Sequence, residues 1–260
     1  MVHYLKEKLI NYNIINKSML KYPISTLLYL AKINIKDKIQ DTLRLHNNLD
    51  IRLTVTVKDK DGKIIKQHKQ RSHSFVSNFL ALIAQAMLNQ YNNVSNFYGY
   101  KGAGGNVQFV STDSTPGLTT IENFMTMLDS ANDSSYGIVV GTGTSPPTPN
   151  DYTMENEISN GTGTGQLVYG SHSVSPPGGT TSSPTLLTPS GNVTSFTVSR
   201  TFQNQSGASI TVSEVGIFIK QYAQGGNIIT VLITHDLLSS AITIPNGGVM
   251  AITYTISVTT

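Results

Sequence analysis

The stretch Ser195-Phe-Thr-Val-Ser-Arg-Thr-Phe202 decides the fold. Phe196, Val198, Arg200 and Phe202 fall on one side of an extended chain, with Ser195, Thr197, Ser199 and Thr201 on the other. Successive strand side chains point to opposite faces, so the alternation reads as a strand with one buried side. After a turn at Gln205-Ser-Gly207, Ile210 and Val212 set one phase, whereas Val215, Ile217 and Ile219 belong to the opposite one. A period of two cannot slip by one without an extra residue, which predicts a β-bulge near Ser213-Glu214. Ile228–Ile233 is apolar on both faces, as in a central strand. Met250, Ile252, Tyr254, Ile256 and Val258 alternate after a turn at Asn246-Gly-Gly248.

Toward the N-terminus, Gln166–Val174 and Tyr136–Val140 read as further strands, the second ending in Gly141-Thr-Gly143. Asp151–Ile158 reads as a helical turn, and residues 175–192 as a long loop rich in turn formers. Strands at this spacing argue for an antiparallel sandwich, jelly-roll-like in type.

The beginning of the chain follows other periods. Residues 3–46 read as helical, with Ile35, Ile39 and Leu43 on one face. Ile51, Leu53, Val55 and Val57 then alternate with polar residues as a half-buried strand, and Asp61-Gly62 turns it into a hairpin. A helix capped by Ser72 or Ser74 runs to about Tyr91. Its apolar part is interrupted by Ser77, Asn78 and Gln85, which favours a buried helix over a membrane span. One of its faces, with Asn78, Gln85 and Asn89, carries no charge. A helix facing water usually carries Lys or Glu there, so this face is expected to meet another subunit or a covering loop. The fold class is therefore α+β: N-terminal helices and hairpin, then a C-terminal antiparallel β-sandwich. Three regions result: a basic part over 1–92, an irregular connection over 93–134, and the sandwich over 135–260.

Composition narrows the function. Charged residues make up 13% of the 260, against about 25% in an ordinary soluble protein. Ser and Thr together number 57 and Asn 21, while Cys and Trp are absent. A disulfide framework and a zinc–thiolate site are thereby excluded. The net charge of +3 is unevenly spread. Residues 1–73 hold fifteen of the eighteen Lys/Arg and six of the fifteen Asp/Glu, a net +9, leaving −6 for residues 74–260. A basic arm that includes Lys32, Lys36, Lys38 and Arg44 would attract DNA, anionic lipid or an acidic partner. A merely solvated basic face is the alternative.

No arrangement in the sequence carries catalysis or a cofactor. His68 and His73 lack the i, i+4 spacing of a metal-binding helix. His235-Asp236 has no G-x-S-x-G nucleophile beside it. Asp59-Lys-Asp-Gly62 begins like a calcium loop but lacks the remaining ligands, so a hairpin turn is expected. Asp151, Glu155 and Glu157 are the carboxylates that a glycosidase would need, without Trp platforms. The expectation is no enzyme, no metal and no cofactor.

The segment Thr197-Val-Ser-Arg-Thr-Phe-Gln-Asn-Gln-Ser-Gly-Ala-Ser-Ile-Thr-Val-Ser-Glu-Val-Gly-Ile-Phe-Ile219 resembles one that recurs in virion structural proteins of archaeal viruses and tailed phages. Gly137–Ile158, and Thr234-His-Asp-Leu-Leu-Ser-Ser240 followed by Pro245-Asn-Gly-Gly248, fit the same pattern in order. The resemblance spans about residues 137–258. It implies a β-sandwich component of a virion tail, adaptor, collar or appendage, assembling with copies of itself as a ring or spike and with other virion proteins. Within it, Glu214-Val-Gly216 sits at the predicted bulge, where Gly permits close backbone approach. Glu214 is then either a buried acceptor paired with Arg200 or an exposed residue of the bulge. Two other functions fit the sequence less fully: a viral host-recognition module binding a surface glycan through loops 141–150 and 175–192, and a secreted hydrolase.

Overall fold

The computed structural model describes residues 49–72, 75–88, 99–108, 127, 130–176, 186–222 and 228–259. Within them the protein is mostly antiparallel β-sheet with one short helix. A compact unit spans Ile51–Ser257, while a second, residues 1–50 with 258–260, lies almost wholly outside the described residues. The helices expected over 3–46 fall in that second unit and have no support in the described chain.

Strands β1 (Leu49–Lys58) and β2 (Ile64–Arg71) form the expected hairpin. Gly62 adopts φ +80° at its turn. Asp59 Oδ1 accepts the N–H groups of Asp61 at 3.0 Å and Lys63 at 2.9 Å, so the calcium-like opening is spent on turn geometry. Helix α1 covers Ser77–Leu88. It starts later than either serine cap because Phe75 bridges to Thr234 and Val76 N–H donates to the Ile233 carbonyl at 3.2 Å, holding the chain extended. Among the described residues no helix is long and apolar enough to cross a membrane.

Next come β3 (Tyr100–Lys101), β4 (Val107–Gln108), β5 (Gly137–Gly141), β6 (Val168–Ser175) and β7 (Val193–Gln203). The chain ends in β8 (Ile210–Tyr222), β9 (Ile228–Ile244) and β10 (Val249–Thr259). One sheet has the order β2-β1-β10-β7-β6, another β5-β8-β9, and β3 pairs with β4 alone. The N-terminal hairpin thus lies in the same sheet as the C-terminal strand. Inward rows of the five-stranded sheet (Leu53, Val55 and Val57; Val198 and Phe202; Met250, Ile252 and Tyr254) share one apolar cluster with Ile138–Val140 and Val212 of the other. Each such side chain contributes about 1.5–3 kcal/mol by leaving water. The segment Asp151–Ile158 forms bends, not a helical turn, because its amides are bound by carboxylates described below.

The register break near Ser213-Glu214 is present, with its extra residues on the facing strand. Val212 pairs with Ile242 and Glu214 with Leu237, so four residues of β9, Leu238–Ala241, oppose Ser213 alone. A second shift leaves Ile233 extra between the Ile217–Thr234 and Phe218–Leu232 pairs. At the larger break β9 turns toward β2: Gln70 Nε2 donates to the Leu237 carbonyl and Ser239 N–H to Gln70 Oε1, each at 3.0 Å. Buried from Val212 through Ile219, β8 shows no polar row.

Candidate functional site

Beside the register break three ionisable side chains meet: Glu214 of β8, His235 of β9 and Asp151 of the loop after β5. Glu214 and Gly216 share one face of β8, and His235 of β9 pairs in register with Gly216. His235 reaches diagonally so that Nε2 meets Glu214 Oε2 at 2.9 Å, while Nδ1 meets Asp151 Oδ2 at 2.7 Å. Glu214 is 1% exposed and His235 4%. Gly216 leaves room for Met154, whose Sδ would stand 2.7 Å from any Cβ placed there.

Glu214 also holds the loop beneath it. Gly143 N–H (2.9 Å) and Asn156 N–H (2.8 Å) donate to Oε1, and Glu155 N–H (3.1 Å) to Oε2. A side chain at Gly141 or Gly143 would collide with the Glu214 carboxylate, which is the physical reason for the Gly-Thr-Gly run. The loop's own carboxylates act the same way. Glu155 Oε2 accepts the N–H groups of Thr144 and Ser145 at 2.6 and 2.7 Å. Asp151 accepts Thr148 N–H at 2.9 Å and its hydroxyl at 2.6 Å. Two of the three carboxylates considered for glycoside cleavage are therefore engaged as turn anchors.

The electrostatics fit a clamp. Burial alone would lower the His235 pKa, but the hydrogen bonds and charges of Glu214 and Asp151 outweigh it and hold the pKa above the ordinary 6.5. Burial works to raise Glu214, yet His235 and the amides of Asn156, Gly143 and Glu155 hold it below 4.5. Asp151 is likewise opposed by burial and held below 3.8 by Thr148 and His235. Each ring nitrogen faces a carboxylate oxygen, and when the ring is protonated both donate and neither keeps a lone pair. Among the described residues no group of three His, Cys, Asp or Glu is arranged to hold an ion.

A pH dependence follows from these directions. The depressed carboxylates contribute stability that is present above about pH 4.5 and lost as pH falls through their folded values. The raised histidine contributes stability that is full below 6.5 and lost as pH rises through its folded value. Thermal melts across pH should show the clamp at its strongest between these limits. His235→Gln should flatten the decline on the alkaline side; an unchanged profile would contradict the charged clamp.

Arg200 proves to have other partners than Glu214. It is 1% exposed and directs Nε to the Gly170 carbonyl at 2.9 Å and Nη1 to those of Tyr136 and Ile138 at 3.0 and 3.1 Å. Nη2 reaches the Ser130 carbonyl at 3.5 Å and that of Asp133. Its guanidinium carbon lies 4.7 Å from the Tyr169 ring centroid. The residue joins β7 to β5, hence one sheet to the other. Of the two readings of Glu214, the buried acceptor holds, with His235 and loop amides as donors.

Asn78 does not lie on an assembly face. It is 6% exposed; its Nδ2 donates to the carbonyls of Lys101 (2.9 Å) and Leu232 (3.1 Å), and its Oδ1 accepts Lys101 N–H at 2.8 Å. The helix face needs no charge there because β3 and β9 of the same chain cover it. The Gln85 side chain, Asn89 and the arm residues Lys32, Lys36, Lys38 and Arg44 lie outside the described residues.

The sequence did not single out His235 as Glu214's partner, nor the outward face of the five-stranded sheet. On that face stand Thr54 and Thr56 of β1, Ala251, Thr253 and Thr255 of β10, and Thr197, Ser199 and Thr201 of β7. All except the exposed Thr201 are half-buried, and this central stretch carries no charge. The alternation in each strand was the available signal. Comparison with protein-family models, curated proteins and solved structures yields no match for the chain.

Proposed function

We propose that the protein is a non-enzymatic virion structural component that acts by homo-oligomeric assembly as part of a tail, adaptor, collar or appendage. The two sheets read in this proposal as a jelly-roll-like sandwich. The observation that carries the proposal is the central stretch of the outward face of β1, β10 and β7, from Thr54 and Thr56 across Thr253 to Thr197 and Ser199, which carries no charge. Burying an ion costs several kcal/mol unless it is paired, so a face without ions suits a permanent contact. The resemblance of residues 197–219 to virion segments supports the same reading, as does the use of Asp151 and Glu155 as loop anchors. In a particle, the basic end would face nucleic acid, anionic lipid or an acidic neighbour, and other virion proteins would complete the contacts.

Thr253→Glu, which puts a charge in the middle of that face, should dissociate the assembly. It should leave the monomer's stability within roughly 0.5 kcal/mol, as expected of a surface substitution. Negative-stain images and light scattering after size exclusion would check this. Rings or spikes from the native chain, lost in the variant, support the reading. A native monomer that binds a glycan array would replace it with host recognition.

A further inference from the structure

The hairpin of β1 and β2 concentrates the cations of the described fold. Residues 51–72 contain seven Lys/Arg and two Asp, a net +5, and all seven basic residues are exposed. Elsewhere among the described residues the basic side chains are Arg200, which is buried, and two that lean on rings. Lys101 Nζ lies 5.2 Å from the Tyr152 centroid and Lys220 Nζ 3.6 Å from that of Tyr136.

At the hairpin tip this charge surrounds exposed apolar surface. Ile64 and Ile65 are 55% and 47% exposed and are flanked in sequence by Lys63 and Lys66. Lys58 is the register partner of Ile64. Asp59 faces its own turn amides and Asp61 pairs with Lys60 at 3.2 Å, so neither offsets Lys58, Lys63 or Lys66. The turn Pro245–Gly248 runs beside the tip: a side chain added at Gly248 would meet the Lys58 carbonyl, and one at Gly247 the Lys60 Cβ.

We infer that this hairpin docks on an anionic lipid surface, its lysines among the headgroups and Ile64 and Ile65 at the acyl boundary. The inference narrows, and rests on, the reading that the basic end faces an anionic layer. Cations beside exposed aliphatic side chains match both layers of a bilayer interface. A nucleic-acid backbone rewards the cations alone, and residues 51–72 contain no Phe, Tyr or Trp as a base-stacking platform.

The test uses the full chain in co-sedimentation with vesicles of phosphatidylcholine alone or mixed with phosphatidylglycerol, and in parallel with duplex DNA. The native chain should bind only the vesicles containing phosphatidylglycerol. Ile64→Ser with Ile65→Ser, which keeps every charge, should weaken binding about tenfold. Lys63→Gln with Lys66→Gln should weaken it roughly fivefold per lysine. Melting temperatures establish that both variants fold. Vesicle binding indifferent to the isoleucines, or DNA binding without vesicle binding, overturns the lipid inference and leaves the anionic-layer reading standing. Binding to neither probe at low salt overturns the lipid inference and leaves an acidic protein neighbour as the partner of the basic end.

Discussion

Glu214→Ala lowers the stability of the fold by about 4 kcal/mol, the range expected when one member of a buried ion pair is removed. The change leaves His235 facing only Asp151, and it deprives the amides of Gly143, Glu155 and Asn156 of their acceptor. Globular domains hold only about 5–15 kcal/mol in total, so the variant is expected to sit near the limit of folding. Glu214→Gln keeps the shape and one acceptor oxygen and should lose about half as much. Denaturant unfolding gives the size, and hydrogen exchange gives the place: amides of residues 142–157 should lose protection first. A loss below about 1 kcal/mol would mean that the carboxylate is not the anchor of the loop.

Arg200→Met should be comparably damaging, by about 3–4 kcal/mol, for a different reason. The aliphatic body is kept, but the carbonyls of Gly170, Tyr136, Ile138, Ser130 and Asp133 lose their shared donor. Arg200→Lys should recover less than half of the loss. A lysine ammonium is a point donor, whereas the planar guanidinium reaches carbonyls of β6, β5 and the segment before it at once. Full recovery by lysine, measured by denaturant midpoint, would show that charge alone matters at this position.

These two residues also mark where the sequence is legible. The half-buried strands β1, β7 and β10 announce themselves because alternate residues meet core and solvent, and their phases read correctly. Their neighbours β8 and β9 are buried on both faces over long stretches, so periodicity carries nothing there except the flip at 213–214. The flip reveals a break without revealing which strand holds the additional residues. Glu214's donors lie 21 residues away at His235 and up to 71 away at Gly143, and no local pattern spans such distances. The Gly-Thr-Gly run was a usable clue, since two glycines facing one carboxylate imply close approach.

The uncharged helix face taught a different lesson. At Asn78, the residue of that face whose side chain is described, the lack of charge goes with a cover. The cover at Asn78 is β3, a strand of two residues with too little sequence to give a signal, together with the edge of β9. Charge-free surface identifies burial without telling own chain from neighbour. The same logic carries the proposal for the central outward face of β1, β10 and β7, whose Thr, Ser and Ala side chains are mostly half-buried.

Mass photometry of the purified full chain tests self-assembly most directly. Discrete multiples of 28.1 kDa that persist on dilution are the predicted result. A single 28.1 kDa species at every concentration would contradict it.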